Sequence, residues 1–504
     1  MKKISLVLII AVLTMVMAAC SSGGNSGTEG SKGTNGGANA GEKQGEGGGE
    51  EAVTLKIVYK DEGTANPVSV KFFQQLEEGL KKDEGLNVKF ELVDVAQGSY
   101  AENLNLLLLS GTIPDIIYFQ GGDQQMSQQG LLEDLRPYIE QSTYLKDIIQ
   151  PHNETRLESY PYLLWIKPLA PKAPVIRSDW FQQLESSKAL ADDPTIDNYY
   201  AFFKELVEKK PGGDKPSYAI TAAGNMDEIN FIFNAAFGLD KTWLKKDDGT
   251  YEFGKVSENE KEKLAFYNKL YNEGLLDPQY ITKQWDTKED AFYKGEAGVI
   301  TGTAGKVVDL YDGRMMELNG NEAALTVLPP AKGVSQGFGA TDVTKESRGL
   351  AISSQSKHKD AAFKVFDYLA SPNGQKLDRL GFENEHYAME DGQIALNDKY
   401  YGEWYARFWE PIDFKSDTPL KTPLLGGPAM QTLELAAAYY TPDNNFIIPE
   451  QYVANWDAMN NLYKEYSTDF ITGKRSLNEF DKFVDAWHAA GGTELTKYAN
   501  ENIK

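Results

Sequence analysis

Asn103-Leu-Asn-Leu-Leu-Leu-Leu-Ser-Gly-Thr-Ile-Pro-Asp-Ile-Ile-Tyr-Phe-Gln-Gly-Gly-Asp123 decides the fold. Leu104, Leu107 and Leu108 share a helical face with Tyr100 at three- and four-residue spacing. Ser110-Gly111 stops that helix, because glycine accepts the left-handed C-terminal conformation, and Pro114 prevents its continuation. Ile116 to Phe119 is then a short apolar run without alternation, the pattern of a strand buried on both faces of a parallel sheet. Gly121-Gly122 opens the backbone, and Leu131, Leu132 and Leu135 return it to a core. Ligands of open α/β sheets bind beyond the carboxyl ends of the strands, which makes Gln120 and Asp123 candidate contacts for a small polar ligand. The competing reading of Asp123 is a cap for a helix at 124–129.

Upstream, Val53–Tyr59 and Val88–Val95 alternate as strands, separated by a helix with Phe72 or Phe73, Leu76 and Leu80 inward. Strand, helix, strand, helix, strand indicates a parallel α/β lobe. Its two strand-following loops, 61–67 and 120–125, share a rim, adding Glu62 and Asn66 to the candidates. About 450 residues follow position 52, too many for one ordinary core, so two domains are expected. Further on, 197–208 has the pattern of a helix with Tyr200, Phe203 and Leu206 inward, and 361–369 that of one with Phe363, Phe366 and Leu369 inward.

Lys2-Lys3, the largely apolar run 4–19 and Cys20 have the layout of a secretory signal, at sixteen residues shorter than the roughly 20 of a membrane-spanning helix. Cys20 is the single cysteine, so no intramolecular disulfide forms. Residues 21–52 hold twelve glycines and no apolar face, the composition of a disordered tether that spans roughly 30 Å. The net charge is −23, and residues 53–504 carry 47 basic against 69 acidic groups, net −22. That balance excludes a nucleic-acid surface, which needs a basic footprint. Four scattered histidines make no zinc spacing, and there is no nucleophile elbow, phosphate loop or dinucleotide fingerprint, so neither metal nor cofactor is expected.

Ser110-Gly-x-x-Pro-Asp-Ile-Ile117, with Asp123 and Gly130-Leu-Leu beyond, resembles the extracellular solute-binding proteins of ABC importers, most closely the maltose-binding branch that takes up sugars. Four further segments extend the resemblance over the mature chain: Arg177-Ser-Asp-Trp-Phe181, Leu270-Tyr-Asn-Glu-Gly-Leu-Leu-Asp-Pro278, Phe292-Tyr-Lys-Gly-Glu-Ala-Gly-Val299 and Gly381-Phe-Glu-Asn-Glu-His-Tyr387. Phe181 and Asn384 depart from the usual Leu and Gly. Met17-Ala-Ala-Cys20 is similar to a lipobox, implying a signal peptide over 1–19 and a lipidated Cys20. Residues 209–216 lack the alternating oxygen ligands of the calcium loop found in some relatives.

The resemblance implies a periplasmic-binding-protein-like α/β fold, two lobes joined by a hinge around an interlobe ligand cleft. The lobes are expected at 53–163 with 327–371, and at 164–326 with 372–504. It implies a lipid-anchored monomer, not an enzyme, that passes a sugar to permease subunits at the outer face of the cell membrane. Trp165 and Thr303 join Gln120 and Asp123 as expected contacts, with Glu385 and Tyr387 from the last motif and Trp404 from the aromatic cluster after it. The alternatives are a secreted carbohydrate-active enzyme and a sensory or adhesive lipoprotein of the same fold. Aspartate followed by Trp180 is read as a structural anchor rather than a ligand contact.

Overall fold

The structure is a computed structural model that describes residues 52–59, 64–96, 100–149, 151–166, 171–338, 347–408, 414 and 416–503. The leader, Cys20, the glycine-rich segment and Glu62 lie outside these residues. In chain order the strands are β1 (Val53–Val58), β2 (Val88–Leu92), β3 (Ile116–Gln120), β4 (Lys172–Arg177), β5 (Tyr218–Ile220), β6 (Trp243–Lys245), β7 (Tyr251–Phe253), β8 (Ala297–Thr303), β9 (Leu325–Val327), β10 (Arg348–Ile352), β11 (Tyr387–Glu390) and β12 (Gln393–Leu396). They form two four-stranded sheets, β10-β3-β1-β2 and β5-β8-β4-β9, and two hairpins, β6-β7 and β11-β12.

In the first sheet β1, β2 and β3 are parallel and β10 runs antiparallel to β3. The decisive stretch folds as its pattern demands. Helix Tyr100–Leu109 buries Leu104 and Leu108, Gly111 takes φ 89°, and Ile116 to Phe119 are buried on both faces. Helix Pro67–Glu84 covers the sheet with Phe72, Phe73, Leu76 and Leu80. Helix Lys359–Ala370 adds Phe363, Phe366 and Leu369 to the same core, as their spacing predicts.

The second sheet pairs β4 antiparallel to both β8 and β9, and β5 parallel to β8. Its covering helix, Ile196–Lys209, turns Tyr199, Phe202, Phe203 and Leu206 inward. The expected inward Tyr200 is half-exposed instead. Its hydroxyl donates to Glu273 at 2.7 Å with Lys269 against the ring, so the polar tip holds it at the surface. Trp180 is buried beneath Arg177, in the anchoring role its motif suggested.

The C-terminal quarter divides between the two cores, not wholly into the second as expected. Leu380, Phe382, Tyr387, Ile394, Leu396, Tyr400, Trp404 and Phe408 join the core of the first sheet. Met459, Tyr463, Phe470, Phe480, Trp487 and Leu495 join that of the second. The apolar face of helix Pro67–Glu84 is wider than the sheet alone covers, and Trp404 and Phe408 complete it against Phe72.

Candidate functional site

Each sheet sets an antiparallel strand beside the carboxyl end of a parallel one, and each such edge carries a cation. In the first, Arg348 opposes Gln120, and its guanidinium donates to Gln120 Oε1 at 3.1 Å. Trp165 is half-buried with the guanidinium carbons of Arg348 and Arg156 at 5.2 and 5.4 Å from its ring. Arg156 is fixed in turn by donating to the carbonyls of Leu163 and Arg348. Gln120 and Trp165 therefore belong to one cluster around Arg348.

Asp123 is not the rim carboxylate its position suggested. It is fully buried and accepts hydrogen bonds from the hydroxyls of Tyr162, at 2.8 Å, and Ser347. Nor does its side chain cap helix Gln124–Gln128. Gly121 and Gly122, at φ 88° and 81°, turn the chain so sharply after β3 that the carboxylate folds back inside.

In the second sheet Lys172 opposes Thr303. Lys172 and Lys288 share Glu228, at 2.6 and 3.0 Å, and Lys288 also donates to the Thr301 carbonyl at 3.1 Å. Burial pushes the Glu228 carboxyl up, but the two ammonium groups outweigh it and hold it below the usual range. Burial draws Lys288 down despite its partner.

A cavity of about 760 Å³ is lined almost wholly by residues on the side of the second core. Glu102, on the helix after β2, faces it from the first side; Asn225, in the loop after β5, and Asp227, at the start of helix Asp227–Phe233, line it from the second. Its floor is the polar stripe of helix Val453–Ile471, where Asp457, Asn460, Asn461, Lys464, Ser467 and Thr468 recur at helical spacing. None of the residues expected from the sequence lines it.

The remaining candidates lie elsewhere. Asn66 caps helix Pro67–Glu84, accepting from the amides of Val68 and Ser69. Glu385 pairs with Lys71 and Lys399, which hold its carboxyl down at about 2, Lys399 contributing most. Tyr387 is core, and Trp404 is fully buried with its indole N–H donating to the Asp378 carbonyl at 3.0 Å. These two are corrected from ligand contacts to packing residues of the first core, Trp404 against Phe72 of helix Pro67–Glu84.

Among the described residues, Glu385, His386 and Glu403 bring ligand atoms within 4.8 Å of one another. His386 Nδ1 accepts from the Phe382 amide, its Nε2 faces Glu403, and lysines neutralise both carboxylates, so the group is an internal ion-pair network. A larger cavity, about 1020 Å³, lies along helix Lys306–Asn319 beside helix Asp398–Glu403. No loop following a strand of either four-stranded sheet reaches it. The two helices come backbone to backbone there, where a Cβ on Gly313 would fall 2.7 Å from the Gly402 Cα.

The architecture and sequence have relatives. Lipoprotein LipO of Bacillus subtilis is 24% identical over 454 residues, covering 84% of this chain and 87% of that one. The polygalacturonan/rhamnogalacturonan-binding protein YtcQ of the same organism is 20% identical over 441 residues, covering 83% and 86%. The crystal structure of alginate-binding protein AlgQ2 without calcium ion superposes with a TM-score of 0.64 at 17% identity, covering 90% of this chain and 98% of that one, and so shares the fold. The family model for bacterial extracellular solute-binding protein matches residues 65–376, and the chain belongs to that family.

Proposed function

We propose that this protein captures a carbohydrate between its two sheets and delivers it to the permease of an ABC importer, held at the outer face of the membrane by a lipid on Cys20. The cavity between Glu102, Asn225 and Asn460 carries this reading. Its volume falls in the range of about 300–1,000 Å³ typical of small-molecule sites. Its lining is dense in amides, carboxylates, lysines and hydroxyls, groups that match the paired donors and acceptors of sugar hydroxyls. Relatives named for polygalacturonan, rhamnogalacturonan and alginate support the ligand class. No helix among the described residues is long and apolar enough to cross a membrane, in keeping with attachment through the N-terminal segment.

In this reading the lobes follow the cores. Residues 53–163, 348–371 and 380–408 form one, and 172–327 with 453–499 the other. Closure is a hinge motion at the crossings between the lobes. Calorimetric titration of the purified protein with trigalacturonate, an alginate trimer, 1-kestose and maltotriose tests it. Binding of one of them, with compaction in small-angle scattering and no new reducing ends, is expected. Binding of none removes the carbohydrate reading, and turnover replaces the receptor with an enzyme. Replacing Cys20 by Ser should release the protein from cells into the medium.

A further inference from the structure

We propose that the captured sugar is an acidic one, whose ionised carboxylate is received by a donor-rich annex of the 760 Å³ cavity, between Asn230, Asn234 and Lys255. The proposal rests on the carbohydrate reading and names the class of sugar for it. The annex is a cavity of about 130 Å³, and Asn230 and Lys255 line both spaces. Its own charged lining is three lysines, Lys241, Lys255 and Lys263, against one carboxylate, Glu260.

Hydrogen bonds within the protein occupy the side-chain acceptors around the annex and leave its donors over. Glu260 and Lys263 lie one turn apart on helix Glu258–Asn272, are fully buried, and pair at 2.9 Å. The Tyr463 hydroxyl donates to the other Glu260 oxygen at 2.7 Å, so both oxygens of that carboxylate are taken. Lys263 also donates to Asn234 Oδ1 at 2.7 Å, and the Tyr267 hydroxyl donates to Asn230 Oδ1 at 3.0 Å. The amide nitrogens of these two asparagines meet no acceptor among the described residues, although Asn230 is only 8% exposed. The Lys255 ammonium lies 4.3 Å from the centre of the Tyr463 ring and forms no ion pair among the described residues. Lys241 donates to the Pro442 carbonyl and has no carboxylate partner among them either.

An ionised carboxylate accepts about four hydrogen bonds and donates none, so it satisfies amide and ammonium donors without bringing a proton of its own. A sugar hydroxyl brings a proton that needs an acceptor, and here the carboxylate and amide oxygens are already engaged. Bonds from an ammonium to a carboxylate are also shorter and stronger than neutral ones. The wider cavity has the opposite balance, with Glu102, Asp227 and Asp457 against Lys255 and Lys464. The two spaces therefore orient an acidic sugar, its carboxylate toward the annex and its neutral hydroxyls toward Asn460 and Ser467.

The wild-type protein is titrated with trigalacturonate, an alginate trimer, the methyl ester of each, 1-kestose and maltotriose. One of the two uronates should bind, and its ester and the neutral sugars should bind about tenfold more weakly or worse. Lys255→Gln should weaken that uronate by a similar factor at an unchanged melting temperature, and Lys255→Arg, which keeps the charge, should retain most of the affinity. An ester or a neutral sugar that binds within twofold of the uronate, or more tightly, overturns the carboxylate annex and leaves the carbohydrate reading intact. So does a folded Lys255→Gln with affinity within twofold of wild type. If that variant does not fold, the comparison of uronate with ester on the wild type decides by itself. Failure of the wild type to bind any probe overturns both readings.

Discussion

The Tyr162 hydroxyl donates to Asp123 Oδ2 at 2.8 Å, joining the loop after β3 to the crossing segment that leads to the second sheet. Burial and then the Asp123 charge push the Tyr162 phenol well up, so it stays a donor at any physiological pH. With Ser347 on the other oxygen, the carboxylate is satisfied by protein groups. Asp123→Asn places an amide N–H₂ against one of these two donors and should destabilise the fold by about 1–3 kcal/mol, as for a disturbed buried hydrogen bond. Urea unfolding measures it. A midpoint equal to wild type would return Asp123 to the solvent-facing role.

Glu228 neutralises two lysines, one of them buried. Glu228→Gln leaves the Lys288 ammonium without its counter-charge and should cost about 3–5 kcal/mol, the scale for breaking a buried pair from one side. The carboxyl is held below its unfolded value, so its contribution is complete above pH about 4.5 and is lost as pH falls through the lowered value. Acid titration of stability should therefore show a loss below pH 4.5 in the wild type that is smaller in Glu228→Gln.

Asp312 behaves oppositely. Burial raises its carboxyl to about 6, although the Leu325 amide donates to it at 2.6 Å. Between pH about 4 and 6 the folded state holds a proton that the unfolded state has released, so stability falls as pH rises across that window. Above it the full penalty persists, on the order of 2–3 kcal/mol for a shift of this size. Asp312→Asn keeps an acceptor for Leu325 and removes the charge. It should be more stable than wild type at pH 7.5 and indistinguishable at pH 3.5, by thermal melts at the two pH values.

Trp404 fills the core between Phe72, Phe382 and His386. Trp404→Ala should cost about 3–5 kcal/mol through the cavity it leaves. The affinity of the folded protein for its sugar should stay within twofold, measured by titration well below the melting temperature. A tenfold loss at unchanged stability would make Trp404 a ligand contact.

Local patterns determined much of this protein from the sequence alone. The leucine face before Gly111, the unalternating Ile116–Phe119 run and the inward Phe363, Phe366 and Leu369 each express a period that one element imposes on its own residues, independent of distant partners. The Leu270–Pro278 motif was legible as a pattern, but its physical cause is tertiary, since Asp277 ties its turn to β5 and Lys283. What each side chain faces was decided only in three dimensions. Asp123 was drawn inward by hydroxyls 39 and 224 residues away, and Trp404 by a helix more than 300 residues earlier. The cavity draws on Glu102, Asn225 and Asn460, whose separations exceed any local period. A sequence pattern fixes which face of an element is apolar. Which element covers that face, and which polar stripe is left to line a cleft, depends on packing between segments that meet only in the folded chain.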